Sequence, residues 1–124
     1  MLNIFIRGTI DSFLLSNAPL DDNVSPSEII EFILKEFQNE DFPADYFICL
    51  VVGILDLNSK ELKLSNSGIQ VPPMVLSQTG EIKEIEKADL PISAVINMGK
   101  YEFQDQIVQF KPGDTLFLTT DGLI

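Results

Sequence analysis

Histidine is missing from this chain, and cysteine occurs once, at Cys49. Without histidine there is no Ser-His-Asp triad, no Cys-His nucleophile pair and no His-ligated zinc site. Acid–base or metal chemistry must then come from Asp, Glu, Tyr or Lys. A single thiol cannot close an intrachain disulfide, and the cytoplasm is the default compartment for such a chain. Basic residues are scarce, with 8 Lys and Arg against 19 Asp and Glu and a net charge of −11. That balance excludes a nucleic-acid binder, because affinity for a phosphate backbone rests on counterion release by cations. It leaves metal binding open, since hard divalent cations are held by carboxylates. Long apolar runs are missing too. The longest, residues 46–55, falls well short of the roughly 20 residues of a transmembrane helix, so no membrane insertion is expected. The stretch 1–17 lacks a basic start and is interrupted by Arg7 and Asp11, unlike a secretory signal.

What is present is enough apolar material for a packed core. The 124 residues are 45% hydrophobic, and glycine and proline are ordinary at seven each. This is one domain or part of one. The first third has a helical period. Leu2, Phe5, Ile6, Ile10, Phe13 and Leu14 form one stripe. Residues 17–23, with Pro19, break it. Ser25-Pro26-Ser27-Glu28 then predicts a helix start: Ser25 caps, Pro26 loses nothing at the first helical position, and Glu28 can close a capping box. Ile29, Ile30, Ile33, Leu34 and Phe37 are the expected buried stripe, and residues 39–45, with Pro43, end the helix.

From Tyr46 the period becomes that of strands. Residues 46–55 are nearly all apolar, as in a strand covered on both faces. A polar turn at 56–60 leads to Leu62 and Leu64, the expected hairpin partner. Residues 74–77 and 81–86 flank Gln78-Thr79-Gly80, a second hairpin candidate. In 101–110 the alternation of Tyr101 and Phe103 changes phase at Ile107-Val108, which predicts a bulge. Lys111-Pro112-Gly113-Asp114 is a tight turn. Residues 115–120 form the last strand, which ends on Asp121-Gly122. Two helices followed by antiparallel strands predict an α+β fold, with a helix pair at 1–38 and a β-rich part at 46–122 of a single 1–124 unit. The apolar end at Leu123-Ile124 is expected to mark a truncation point.

Several motifs, in this order, resemble the SpoIIE branch of the PPM-type protein serine/threonine phosphatases, bacterial regulators of partner switching and sporulation. Gly53-Ile54-Leu55-Asp56 is similar to the family's strand closing on a Leu-Asp turn. Leu64-Ser65-Asn66-Ser67-Gly68 with Pro72-Pro73 resembles its Asn-Ala-Gly-His segment followed by Pro-Pro, and Leu90-Pro91-Ile92 resembles its Leu-Pro-Leu-Gly. Residues 110–114, the apolar Leu116, Phe117 and Leu118, and Thr120-Asp121-Gly122 match its last strand. The resemblance implies a partial PPM-type fold, two helices packed on an antiparallel sandwich. It also implies a chemistry in which two Mn²⁺ or Mg²⁺ ions activate a water that attacks a phosphoserine or phosphothreonine. On the residues alone, Asp121-Gly122 reads as a strand-terminating turn. The resemblance makes Asp121 a metal-ligand position, with Gly122 allowing close approach of the metal shell.

Two departures accompany it. Ile69 stands where the family usually has histidine. The family's upstream Gly-Asp and Gly-His-Gly elements and its downstream acidic ligand have no counterpart here. One carboxylate cannot hold two cations, so metal binding by these residues is expected to be weak or absent. Two functions follow. The first is part of a phosphatase acting on a phosphorylated regulatory protein of the anti-sigma-factor-antagonist type. The second is a non-catalytic pseudo-phosphatase module for interaction or homodimerisation. Asp56 and Asp114 read as turn residues, and Cys49 as an inert buried thiol.

Overall fold

The computed structural model describes residues 2–16, 24–86, 88–96 and 101–119. Its elements run α1 (Leu2–Ser16), α2 (Pro26–Asn39), β1 (Phe47–Ile48), β2 (Leu50–Leu55), β3 (Glu61–Ser67), β4 (Met74–Leu76), β5 (Ile82–Glu84), β6 (Ile92–Ser93), β7 (Gln106–Gln109) and β8 (Thr115–Phe117). All strand pairings are antiparallel, in three groups ordered β1-β6, β2-β3-β7 and β5-β4-β8. The fold is α+β, as expected.

Helix α2 forms because its apolar residues recur on one face. Ile29, Ile30, Ile33, Leu34 and Phe37 are all buried, the stripe expected from the period. Ser25 caps it, its hydroxyl accepting from the Glu28 amide, and Pro26 follows at the first turn. A second cap comes from far along the chain. Asp105 accepts from the Ser27 amide at 2.9 Å and the Ser27 hydroxyl at 2.8 Å, across 78 residues of sequence. The other end is tied down by Gln38, whose amide donates to the carbonyls of Ser93 and Ile96. Of the stripe expected on α1, Phe5, Ile6, Ile10 and Phe13 pack into the same core, while Leu14 is exposed.

The β2-β3-β7 sheet lies between two layers, and the two-residue period of its strands sorts the side chains. Leu50, Val52 and Ile54 face the helices, where α2 packs on β2, β3 and β6. Val51, Leu62, Leu64 and Val108 face the opposite way, toward Val75, Ile85 and Leu116. The second face is thus covered by the β5-β4-β8 sheet, which makes a stack of helices, sheet and sheet.

Three expectations for the strands change. Residues 46–55 form two strands broken at Cys49, and β2 is half-buried because it lies at the edge of its sheet among the described residues. Residues 101–105 are not strand, so the phase change near Ile107 marks where β7 begins and no bulge is needed. The last strand is shorter than expected and ends at Phe117. The 77–80 hairpin is present between β4 and β5, and the Pro112-Gly113 turn closes with the Asp114 amide donating to the Lys111 carbonyl at 3.0 Å. Gly113 has φ 88°, and a side chain there would collide with Gln78, so that turn rests on the neighbouring hairpin.

Candidate functional site

The polar heart of the molecule is the end of β3. Asn66 is 2% exposed, and its side-chain amide closes the loop that follows. Its Oδ1 accepts from the Ile69 amide at 2.8 Å, and its Nδ2 donates to the Ile69 carbonyl at 3.0 Å. Ile69 is therefore held from both sides. Between them, Gly68 has φ 82° and donates its amide to the Asp89 carbonyl at 2.9 Å. A Cβ at this position would sit 2.6 Å from Pro91 and 3.0 Å from Cys49 Sγ. Only glycine lets the three segments meet this closely.

Asp89 ties the next two segments together. Its amide donates to the Asn66 carbonyl at 2.7 Å, and the Ser67 hydroxyl donates to the Leu90 carbonyl at 2.8 Å. One carboxylate oxygen accepts from the Tyr101 hydroxyl at 3.1 Å, the other from the Gln104 amide at 2.8 Å. The same tyrosine oxygen accepts from the Leu90 amide. Burial, the largest cause, and the neighbouring Asp89 push the Tyr101 phenol above its ordinary value, so it stays protonated and donates. Asp89 escaped the sequence analysis because its partners lie 12 and 15 residues away. The adjacent Leu90-Pro91-Ile92 was the only local signal.

From this platform Ile69 turns into a cleft of about 230 Å³ between the two sheets. Val51, Val71 and Pro73 form the rest of its apolar wall, and Leu118 and Thr119, just beyond β8, close it. Its lining contains one hydroxyl, at Thr119, and no carboxylate. The candidate ligand Asp121 and its neighbour Gly122 lie outside the described residues. Among the described residues no three His, Cys, Asp or Glu side chains converge to hold a metal ion. The residues described here therefore do not fit a two-cation centre.

The remaining acids match turn roles. Asp56 Oδ1 accepts from the amides of Ser59 and Asn58, bonds that hold its carboxyl below the ordinary range, with Ser59 the larger cause. Asp114 accepts from the Lys111 amide at 2.8 Å. Cys49 is half-buried, its sulfur against the Gly68 loop. No helix among the described residues is long and apolar enough to cross a membrane.

Residues 2–124 match the family described as Stage II sporulation protein E (SpoIIE). No curated protein sequence is significantly similar to the chain. Among solved structures, the RsbU and RsbW domains of Rv1364c from Mycobacterium tuberculosis superpose with a TM-score of 0.69 at 18% identity. The match covers 96% of this chain and 30% of that one, and at this identity the likeness shows the fold.

Proposed function

The chain belongs to the SpoIIE family, and on that premise we propose that it is part of a PPM-type protein serine/threonine phosphatase domain, of which these residues supply scaffold and one ligand. The substrate is phosphoserine or phosphothreonine on a regulatory protein, of the anti-sigma-factor-antagonist kind. The unit spans 1–124, with its helix pair at 1–38 and its β-rich part at 46–122. The family relationship points in general to Mg²⁺ or Mn²⁺ dependence. Asp121 is the carboxylate this chain offers, with Gly122 leaving room beside it.

The observation that carries the proposal is the direction of the last strand. Leu118 and Thr119 line the cleft between the sheets. Asp121 follows two residues later, a reach of at most about 7 Å. The Asn66–Ile69 clamp and the Asp89 ties serve to hold that cleft's floor in place. They touch no reacting group and are positioning residues. Oxygen ligands suit hard cations, but a single carboxylate is too few for a pair of them.

The test has two parts. Incubated with Mn²⁺ and p-nitrophenyl phosphate or a phosphoserine peptide, these 124 residues should show no turnover above background, and calorimetry should show weak Mn²⁺ binding or none. Tight, stoichiometric Mn²⁺ binding that disappears in Asp121→Asn would overturn the scaffold assignment. In a longer protein containing this chain, Asp121→Asn should abolish hydrolysis; unchanged hydrolysis removes Asp121 from the site.

A second reading, a non-catalytic interaction or homodimerisation module, is favoured by one surface. On the outer face of the β5-β4-β8 sheet, Leu76, Ile82 and Phe117 are exposed side by side. Such a patch on a soluble surface commonly marks an interaction site. A monomer by sedimentation at high concentration rules out the dimer.

A further inference from the structure

The cleft between the two sheets borders the proposed metal-ligand position, yet its lining does not suit a phosphate. Its walls are Val51, Ile69, Val71, Pro73 and Leu118, with Thr119 at the rim, and none of these carries a charge. The phosphate belongs with the cations, so the cleft beside them is left for a neighbouring part of the substrate. The fold does not cover these walls itself. Val51, Ile69 and Val71 are only half-buried and Leu118 is 52% exposed, around a fully buried Pro73. At about 230 Å³ the cleft falls below the range of about 300–1,000 Å³ typical of whole small-molecule ligands. It is closer in scale to a single large side chain.

Ile69 is aimed into this space by its backbone. Asn66 engages both its amide and its carbonyl, which sets the direction of the side chain between them. Spacing then names the occupant. Asp121 stands two residues beyond Thr119, at most about 7 Å along an extended chain. In an extended peptide, residues two apart point to the same side, again about 7 Å from each other. A substrate segment with its phosphoserine at the metal position therefore brings the side chain two residues away over the cleft. The immediate neighbour points the opposite way.

We propose that the cleft is a specificity subsite for the phosphorylated protein, an inference that rests on the phosphatase reading above. It takes a leucine-like apolar side chain two residues from the phosphoserine or phosphothreonine, and Ile69 is its specificity-determining residue. Pockets for alternate side chains are a general means of reading an extended peptide. Ile69 meets no reacting atom, so its contribution is to substrate binding.

The experiment compares phosphoserine heptapeptides in which leucine or glutamine stands one or two residues to either side of the phosphoserine. With the longer protein containing this chain, leucine at the two-residue spacing on one side should raise kcat/KM about tenfold, the low end for an apolar pocket because this one is open. The gain should lie in KM, as for binding that is equal in ground and transition states. Leucine at the adjacent position should give no gain. Ile69→Thr and Val71→Thr should each shrink the leucine-to-glutamine ratio, a readout that general loosening of the loop would not move. For the 124 residues alone, NMR titration with the unphosphorylated leucine peptide should give saturable shifts at the amides of Val51, Ile69 and Val71, and the glutamine peptide should give none. Asp121-dependent hydrolysis with equal rates for both peptides, as expected if another segment of the protein fills the cleft, would overturn the subsite and leave the phosphatase reading standing. Leucine-dependent shifts without any hydrolysis would remove the phosphatase reading and the phosphoserine subsite with it. An unchanged ratio in both variants would also overturn the proposal.

Discussion

On one face of the β2-β3-β7 sheet, Ile30, Ile33, Leu34 and Phe37 of α2 are no more than 1% exposed. On the other, β8 offers a half-buried Leu116 and leaves Phe117 51% exposed. Among the described residues, the helix side holds ten buried apolar residues packed with aromatic pairs, against five on the sheet side. The difference separates two tasks. The helix side carries the stability, and the thin side keeps the open cleft, as expected when binding regions are drawn from the less stable parts of a fold.

The comparison breaks most directly at its two phenylalanines. Phe37→Ala should cost about 3–5 kcal/mol, the range for a fully buried aromatic. Phe117→Ala should cost about 1 kcal/mol or less, because half its surface already meets water. Urea melts with unchanged slopes would read both, and similar losses at the two sites would erase the distinction. A smaller effect tests the long-range cap. Asp105→Ala should lose about 1–2 kcal/mol, the size of a strong helix cap. Repeating it in a Ser27→Ala background should lessen that loss only by the share of the hydroxyl bond, since the residue-27 amide still needs the cap.

A third test probes a flaw within the strong side. Ser65 is fully buried beneath α2, and its hydroxyl has no partner among the described residues. Opposite Val52 in the register, it faces the helix layer, where a small side chain lets α2 approach. Ser65→Ala keeps the size and removes the unpaired oxygen, so it should stabilise by about 1 kcal/mol. Clear destabilisation would show that the hydroxyl has found a partner.

The smallest effect is electrostatic. Burial, the largest cause, and then Glu28, Glu102 and Asp105 raise the Glu31 carboxyl above its ordinary 4.5. A raised folded value means that the protonated acid suits the fold. Its contribution is fully present below pH 4.5 and is lost as pH rises through the folded value. At pH 7 Glu31→Gln should therefore gain about 0.3 kcal/mol, a figure kept small by solvent screening. The gain should disappear below pH 4.5 in paired denaturation curves.

Local signals were legible in the sequence where they governed the outcome. The α2 stripe, the Ser25 cap, the two hairpins and the Pro112-Gly113 turn each depend on neighbours within a few residues, and each is present. Asp56 and Asp114 likewise do what turn residues do. What could not be read depends on distance in sequence. The edge position that leaves β2 half-covered is a property of the whole sheet. Asp105 and Asp89 resemble any surface acids until the chain brings Ser27, Tyr101 and Gln104 to them. The cleft was anticipated only in that Ile69 stands at a position of interest. Its apolar wall joins Val71 and Pro73, beside that position, to Val51 of a strand some 20 residues earlier.

The bond from Asp105 to Ser27 also has a consequence in time. The first turn of α2 is synthesised 78 residues before the group that completes it. At ribosomal speeds that interval is on the order of ten seconds. During it the helix start relies on Ser25, and the Ser27 amide is without its Asp105 acceptor. Closure then waits for a segment 78 residues further on, so that the first turn of α2 is completed only after the β2-β3 hairpin between them has been made.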